Sequence, residues 1–386
     1  MRIIDIRERA VSLSDPMSNA AINFQEMTAS AVAIDVECQS GKVVTGYGFS
    51  SVGRYAQSGL IGDRFAPRLL GLNYIDGENG KLDPRRAWVE MMKNEKWGGD
   101  GDRSGAVGVL DMALWDVAAK IDDVPLWKLL SDRHNSGVYH QKVPVYATGG
   151  HYYPRSDLGG LQDEVKGYLD SGFEKVKIKC GQSGLPDDIR RIEASLSQLD
   201  QCGARLAIDV NCAYESSQKR VGLAKAVSPY QLAWVEEPSH PHDFDGLAEF
   251  IEIYKGVVAT GENLFSVSEC QNLLRYGGLR PNCDLLQIDP AFSYGVSEYL
   301  RILKLAEGCG WKKSGIVPHA GHLLGYHVVA GFELGAHEVA VRPNFILSGL
   351  QDDVEFFGGY ASLSQHPGMG FEIYPKLWKV LKDLNR

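Results

Sequence analysis

Six charged or titratable residues follow apolar stretches in the middle of the chain at nearly constant spacing. They are Lys179, Asp209, Glu236, Glu262, Asp289 and His319. Successive members are separated by 30, 27, 26, 27 and 30 residues. A strand and its return helix together take about 30 residues, so the spacing predicts consecutive βα units. In a (β/α)8 barrel the C-terminal strand ends face a common axis where catalytic side chains gather, and the spacing therefore predicts both a barrel and a site.

The hydrophobic pattern divides the 386 residues into a cap and a barrel. Strand-like runs fill the first 50 residues or so, and a helical period follows in GAVGVLDMALWDVAAKI. From VPVYATGG onward, strand and helical runs alternate, and eight strands can be counted. We therefore predict an α/β fold, a modified (β/α)8 TIM barrel with an N-terminal α+β capping domain. The predicted domains are the cap at 1–138, the barrel at 139–350 and a C-terminal segment at 351–386 that returns to the cap.

Composition excludes several classes of partner. The formal net charge is −9, whereas nucleic-acid binders concentrate positive charge, so no nucleic-acid partner is expected. No run of about 20 apolar residues occurs, so no membrane partner is expected either. The seven cysteines are scattered and form no CxxC pair, a pattern typical of reduced thiols. We therefore predict a cytoplasmic protein.

Three carboxylates at consecutive strand ends predict a metal site. Any one of Asp209, Glu236 and Glu262 could simply cap a helix, because unpaired N–H groups and the helix dipole favour an acid there. Together, however, they would repel one another, and each would raise the pKa of its neighbours. A divalent cation removes this conflict. An all-oxygen set suits Mg²⁺, or Mn²⁺, better than zinc, and it leaves positions open for substrate.

Three neighbouring polar residues have open roles. Asn211 lies two residues past Asp209 on the same strand face, where it can orient a ligand or contact substrate. Glu237 directly follows Glu236 and could support the site or cap a helix. Asn263, beside Glu262, is a similar but weaker candidate.

Lys177 and Lys179 share one face of the preceding strand, because side chains alternate with period two. Lys175 extends the same row, so a solvated stripe is the alternative. The inward face of a barrel strand is not solvated, which favours a role at the rim. Two close cations beside a divalent metal should lower the pKa of a lysine toward the neutral amine of a general base. Lys179 is therefore the candidate base.

Asp289 and His319 end adjacent predicted strands on the far side of the rim. A lone histidine is commonly a satisfied core residue. A neighbouring carboxylate, in contrast, can hold the imidazole in one tautomer and raise its pKa, so that it works as an acid or a base near neutrality. We therefore interpret the pair as a catalytic dyad.

The motifs KVKIKC, AIDVN, WVEEP, TGEN, IDP and VPHAGH, in this order, resemble the mandelate racemase subgroup of the enolase superfamily. The resemblance implies Asp209, Glu236 and Glu262 as Mg²⁺ ligands. It also implies Lys179 as a base that removes the proton alpha to a carboxylate. The resulting enediolate would be stabilised by Lys177 and the metal, with the His319–Asp289 dyad as the general acid on the opposite face.

Cap segments such as INFQEMTAS and NEKWGGDGDRS resemble those of the acid-sugar dehydratases in that family, in particular the D-tartrate dehydratases. This implies dehydration of an acid sugar or a hydroxy diacid such as D-tartrate to a 2-keto acid. Lys96 would bind the distal carboxylate or a hydroxyl, and the segment around Tyr55 would close over the substrate. Glu338, near the eighth strand, would lie against the substrate carboxylate. WVEEPSHP departs from the tartrate pattern, so the identity of the acid sugar stays open.

Other activities are compatible with the same residues. A racemase or epimerase of a 2-hydroxy acid would return the proton to the same carbon. A metabolite-binding protein without catalytic activity would be expected to lack at least one of the six rim residues, and none is missing. A Schiff-base barrel using Lys179 would not need three converging carboxylates. The family resemblance also suggests a homo-oligomer.

Overall fold

The computed structural model describes residues 1–13, 15–77, 80–154, 157–341 and 350–385. The chain begins with an antiparallel sheet in the order β1-β2-β3. Its strands are β1 Arg2–Ser12, β2 Thr28–Glu37 and β3 Val43–Phe49. The middle strand is buried almost throughout because both of its edges are paired and helices cover one face.

Helices of the cap follow the sheet. They are α1 Ser58–Leu60, a π-helical turn Ile61–Phe65, α2 Ala66–Leu70, α3 Pro84–Met91, α4 Asp102–Ile121 and α5 Leu126–His134. Helix α4 begins after Gly101, whose amide donates to the Ser104 hydroxyl at 3.0 Å. It ends at Ile121, before Asp122 and Pro125, as the sequence predicts. Nearly all of its residues are buried, because it packs on the sheet and on the rest of the molecule.

Parallel strands alternating with helices make up the next part of the chain. The strands are β4 Val143–Gly149, β5 Val176–Lys179, β6 Leu206–Asp209, β7 Trp234–Glu236, β8 Val258–Thr260, β9 Leu285–Leu286 and β10 His337–Ala340. The helices are α6 Leu158–Asp170, α7 Leu185–Leu196, α8 Ser217–Val227, α9 Phe244–Tyr254, α10 Val267–Tyr276, α11 Val296–Gly308 and α12 Leu323–Phe332. Strands β4 to β9 pair in sequence order.

The ends of this parallel series meet. Strand β10 pairs in parallel with β4, the first strand. Between β9 and β10, Ile316 forms a single parallel bridge with Leu286 and takes the place of the seventh strand. The Gly335 amide then donates to the Ile316 carbonyl at 2.9 Å, next to β10. These contacts give the predicted eight-position α/β barrel with an α+β cap at its N-terminus.

Helix α12 is buried on all sides, as its nearly continuous apolar sequence predicts. It packs between α5 of the cap and the barrel strand β10. Short 3-10 turns lie at Phe24–Glu26, Gly203–Arg205, Ser228–Tyr230, Lys313–Gly315, Leu350–Asp352, Phe371–Ile373 and Lys382–Asn385. Among the helices that the structure describes, none is both long and apolar enough to cross a membrane.

The C-terminal segment contacts both parts of the molecule. It contains β11 Phe356–Phe357, β12 Tyr360–Ala361 and α13 Pro375–Leu381. Strand β12 pairs antiparallel with β4 of the barrel. On the cap side, the buried Asp116 carboxylate of α4 accepts from the amides of Met369 at 2.7 Å and Tyr47 at 2.9 Å. These contacts agree with a return to the cap, while the three domain boundaries stay predictions.

Two glycines let strand β3 lie directly on helix α4. A Cβ at Gly46 would stand 2.1 Å from the Ala113 carbonyl oxygen, and one at Gly48 would stand 2.2 Å from that of Val109. Real Cβ atoms do not approach backbone oxygens so closely, so any side chain here would push the strand off the helix. The close packing of the cap sheet on α4 therefore depends on glycine at these two positions.

We predict that Gly48→Ala destabilises the protein by about 1–3 kcal/mol, the usual cost of overpacking. Chemical denaturation and the apparent melting temperature measure this. Gly62→Ala is the matched control, because Gly62 is an exposed helical residue with no atom within 4 Å of the new Cβ. Equal stability of the Gly48 variant and the wild type would contradict the close contact between strand and helix.

Candidate active site at the barrel rim

The six regularly spaced residues all reach one rim of the barrel. Three of them are the last residues of their strands, Lys179 in β5, Asp209 in β6 and Glu236 in β7. The strand register places Asp209 opposite both Lys179 and Glu236. The other three follow two or three residues after the next strands, and they are Glu262, Asp289 and His319. The rim site predicted from the spacing is therefore formed.

The predicted metal ligands converge. Oxygen atoms of Asp209, Glu236 and Glu262 all lie within 4.8 Å of one another. Burial, with the charges of Asp209 and Glu262, raises the pKa of Glu236 to about 8 even though Lys177 acts in the opposite direction. Oxygen Oε2 of Glu262 is buried and has no hydrogen-bond partner among the described residues. An orphaned buried oxygen in an all-carboxylate cluster is the arrangement that a hard divalent cation fits.

Neighbouring side chains orient these carboxylates. The Lys177 ammonium contacts Glu236 Oε1 at 2.6 Å. The Trp234 indole and the Gln287 amide donate to Glu236 Oε2 at 2.9 and 2.8 Å. Glu236 is therefore held on both oxygens. Trp234 and Gln287 were not predicted, although each lies two residues before a rim acid, Trp234 in β7 and Gln287 directly after β9, which period-two alternation could have indicated.

Asn211 and Glu237 have supporting positions. The Asn211 side chain donates to Asp209 Oδ2 at 3.1 Å, and its backbone amide donates to Oδ1 at 2.9 Å. Asn211 therefore orients a predicted ligand, and it also lines the cavity described below. The buried Glu237 accepts from the Asn263 side chain at 2.7 Å, beside the cluster.

The two rim lysines are buried and ion-paired. Lys179 contacts Asp209, and Lys177 contacts both Glu236 and, at 3.2 Å, Glu338. Burial alone would lower the pKa of each lysine, but the paired carboxylates raise both. With Asp209 as the nearest charge, the pKa of Lys179 is raised, whereas the predicted fall belongs to Lys179 beside a bound divalent metal and stays a prediction. A cation bound by the same carboxylates would compete with both lysines for them.

The predicted dyad is formed on the other side of the cluster. His319 Nδ1 lies 3.2 Å from Asp289 Oδ2, and its Nε2 lies 3.5 Å from Glu262 Oε2. Burial lowers the pKa of His319, but Glu262 and the hydrogen bond with Asp289 outweigh it and raise the pKa to about 10. The imidazole is therefore held ready to donate a proton. Oxygen Oδ2 of Asp289 also accepts from the Ser51 hydroxyl of the cap at 2.7 Å, which no pattern in the sequence indicated.

Two adjoining cavities of about 70 and 350 Å³ lie over the rim. They share the cap residues Asn19, Ile22, Val52 and Gly53 and the rim residues Glu262 and His319. The smaller cavity also contacts Lys179 and Glu338 and is walled by Met17 and Phe24. The larger one is lined by Arg54, His240 and His242. Residues of two cap loops therefore border the site, while closure of the segment around Tyr55 over a substrate stays a prediction.

Predicted substrate contacts differ in where they lie. Glu338 is buried in the smaller cavity, where it accepts from the Tyr146 hydroxyl at 3.3 Å. Lys96 is exposed, and the side chain of Tyr55 is 55% exposed. Neither lines the two described cavities. The cation that does reach the larger cavity is Arg54, the residue before Tyr55, and no sequence pattern indicated it.

The chain matches known families over most of its length. Residues 160–377 match the enolase C-terminal domain-like family, and residues 2–131 match the mandelate racemase / muconate lactonizing enzyme N-terminal domain. The L-talarate/galactarate dehydratase of Salmonella typhimurium is 27% identical over 372 residues, covering 94% of this chain and 86% of that protein. The 3,6-anhydro-alpha-L-galactonate cycloisomerase of Streptomyces coelicolor is 28% identical over 350 residues, covering 87% and 88%.

A solved structure shows the same architecture. The L-talarate dehydratase from Polaromonas sp. JS666, complexed with Mg and L-glucarate, superposes with a TM-score of 0.74 at 26% identity. The superposition covers 96% of this chain and 94% of that one. Fold, rim residues and family matches agree, and the chain belongs to the mandelate racemase / muconate lactonizing enzyme family, whose C-terminal domain is enolase-like.

Proposed function

We propose that this enzyme is a Mg²⁺-dependent hydro-lyase that removes water from an acid sugar to give a 2-keto acid. The observation that carries the proposal is the two-sided geometry. Lys179 adjoins the carboxylate cluster at Asp209, and His319 adjoins it at Glu262. A substrate carboxylate over the cluster would thus have a base on one side and an acid on the other. The dehydratases among the relatives support the same reaction class.

Asp209, Glu236 and Glu262 would hold the cation, with Mn²⁺ as a possible substitute for Mg²⁺. When bound, the metal supplies positive charge that stabilises the carboxylate oxygens as the alpha proton leaves. Lys177 adds a fixed positive charge at the same place, because it is fully buried beside Glu236 and Glu338.

Lys179 and His319 each carry out one of the two proton transfers. Lys179 takes the alpha proton, and the C–H electron pair passes into the carboxylate to give an enediolate. That pair next forms a C2–C3 double bond while the C3–O bond breaks. His319, held by Asp289, gives its proton to the departing oxygen, and water leaves. The remaining enol tautomerises to the 2-keto acid.

We further propose that the substrate is a hydroxy diacid, with D-tartrate as one candidate. Arg54 supports this, since it lines the larger cavity and has no hydrogen bond or ion pair to another described residue. Its guanidinium carbon lies 4.7 Å from the centroid of the Phe265 ring. Stacking on an aromatic ring leaves the planar donors free for a carboxylate. Contacts from Lys96 and Tyr55, and a homo-oligomeric state, stay predictions.

A racemase or epimerase is the second candidate, because an acid and a base on opposite faces also suit inversion at one carbon. A library of mono- and diacid sugars, screened with semicarbazide for 2-keto acids, separates the two. Dehydration gives a keto product, whereas epimerisation in D2O gives deuterium at C2 without one. If no acid sugar of the library is turned over in the presence of Mg²⁺, the dehydratase proposal is contradicted.

We expect chelation by EDTA to abolish activity and Mg²⁺ or Mn²⁺ to restore it.

Glu262→Gln should weaken Mg²⁺ binding by about 10–100-fold or more. Loss of a residue that only supports a metal ligand already weakens binding by that much, and Glu262 is proposed as a ligand itself. Isothermal titration calorimetry of the protein with Mg²⁺ measures the affinity directly. Glu252→Gln, an exposed acid on α9, is the control and should bind normally. Unchanged affinity in the Glu262 variant would exclude it as a ligand.

Exchange of the substrate alpha proton in D2O should distinguish the role of Lys179 as base from that of His319 as acid. In His319→Asn, dehydration should fall by about 10²–10⁴-fold, the usual contribution of a general acid, while exchange of the alpha proton continues. In Lys179→Met, both should be lost, because the base acts first. Proton NMR of recovered substrate and keto-acid formation report the two steps. Persistent exchange in the Lys179 variant would reverse the assignment of base and acid.

Arg54→Gln should raise KM about 10–100-fold for a diacid, because a charge-assisted pair is lost. The matching mono-acid, which differs only in a distal CH2OH, should be affected little. Arg86→Gln is the control, since Arg86 is an exposed arginine on α3 of the same cap. Equal effects of Arg54→Gln on both substrates would argue against a distal carboxylate.

A further inference from the structure

The end of cap strand β3 is attached to the acid side of the site by a buried hydrogen bond. The Ser51 hydroxyl donates to Asp289 Oδ2 at 2.7 Å, across 238 residues of sequence. Ser51 is 1% exposed and Asp289 is fully buried, so water does not compete for this contact. A hydrogen bond to a buried carboxylate is among the stronger kinds, and it has a defined direction.

The contacts of Asp289 show what Ser51 controls. Oxygen Oδ1 accepts from the backbone amides of Ala291 at 2.7 Å and Phe292 at 3.3 Å. Oxygen Oδ2 is shared between Ser51 and His319 Nδ1. The backbone amides fix one end of the carboxylate, and Ser51 fixes the plane in which its other oxygen meets the imidazole. Among the described residues, Ser51 is the cap side chain that donates to this dyad.

The segment that carries Ser51 is itself firmly placed. The Ser50 amide donates to the Ser30 carbonyl at 2.9 Å, and the Ser30 amide donates to the Ser50 hydroxyl at 2.8 Å, which ties the segment to strand β2. The His322 Nε2 meets the Phe49 carbonyl at 2.6 Å, three residues after His319. Ser51 is therefore held at a fixed position between the cap sheet and the dyad.

We propose that Ser51 is a positioning residue that determines how often the enediolate loses water and how often it takes the alpha proton back. With Ser51 present, Asp289 keeps the His319 ring aimed at the departing hydroxyl, and water leaves. Without it, the Asp289 carboxylate is held only at Oδ1, so Oδ2 can shift and the His319 ring is less firmly oriented. The enediolate then more often takes a proton back from Lys179. This inference rests on the proposed dehydratase activity, and it adds a cap residue to the acid step.

The test is the ratio of alpha-proton exchange to keto-acid formation in D2O with Mg²⁺ and the best substrate from the acid-sugar library. Ser51→Ala should raise this ratio about 10-fold, as expected for loss of one hydrogen bond to a charged group. The rate of exchange itself should change little, because Lys179 is untouched. Ser51→Thr, which keeps a hydroxyl, should restore the ratio toward that of the wild type.

Ser131→Ala is the matched control, since Ser131 is another buried serine of the cap and its hydroxyl donates to the Val138 carbonyl and not to the dyad. It should leave the ratio unchanged even if it lowers the melting temperature. A crystal structure of Ser51→Ala should show the His319 ring displaced. If exchange and dehydration fall in equal proportion in Ser51→Ala, or if neither changes, the positioning role is wrong. If the wild type dehydrates no acid sugar, the proposed function fails first and this inference fails with it.

Discussion

Burial of like charges at one rim is the constraint on which the site depends. Asp209, Glu236 and Glu262 bring carboxylate oxygens within 4.8 Å of one another, and the first two of these residues are buried. Such a cluster is unfavourable unless positive charge is supplied to it. Lys177 and Lys179 supply part of that charge through direct contacts. A divalent cation would supply more, and Glu262 Oε2, which has no hydrogen bond from the described residues and only the ion pair with His319 at 3.5 Å, leaves a position open for it.

The cluster of carboxylates is also approached by a candidate base on one side and a candidate acid on the other. The strand register puts Lys179 beside Asp209, while the loop after the seventh barrel position puts His319 beside Glu262. Base and acid therefore approach the cluster from different strands and do not pair with each other in the contacts described. The cap then completes each side differently, with apolar Met17 and Phe24 over the smaller cavity and Arg54 in the larger one.

Much of this could be predicted because a parallel barrel imposes a regular spacing. Each βα unit returns the chain to the same rim, so residues about 30 apart in sequence become neighbours. The spacing therefore predicted that the three carboxylates converge and that His319 meets Asp289 before any distance was known. It could not give the pKa shift of Lys179, because that depends on how near the Asp209 carboxylate lies and on whether that carboxylate also holds a cation.

Cap residues were the least predictable, since no period relates a loop in the first 100 residues to a strand end 200 residues later. Lys96 and Tyr55 were chosen by resemblance, but their side chains point to solvent, whereas Arg54 lines the cavity and Ser51 reaches Asp289. The sequence by itself determined the barrel and the residues at its rim, because strand periodicity is local. Only the tertiary structure decided which cap residues meet the rim, because that depends on how strand β3 packs on α4 and where its end meets the barrel.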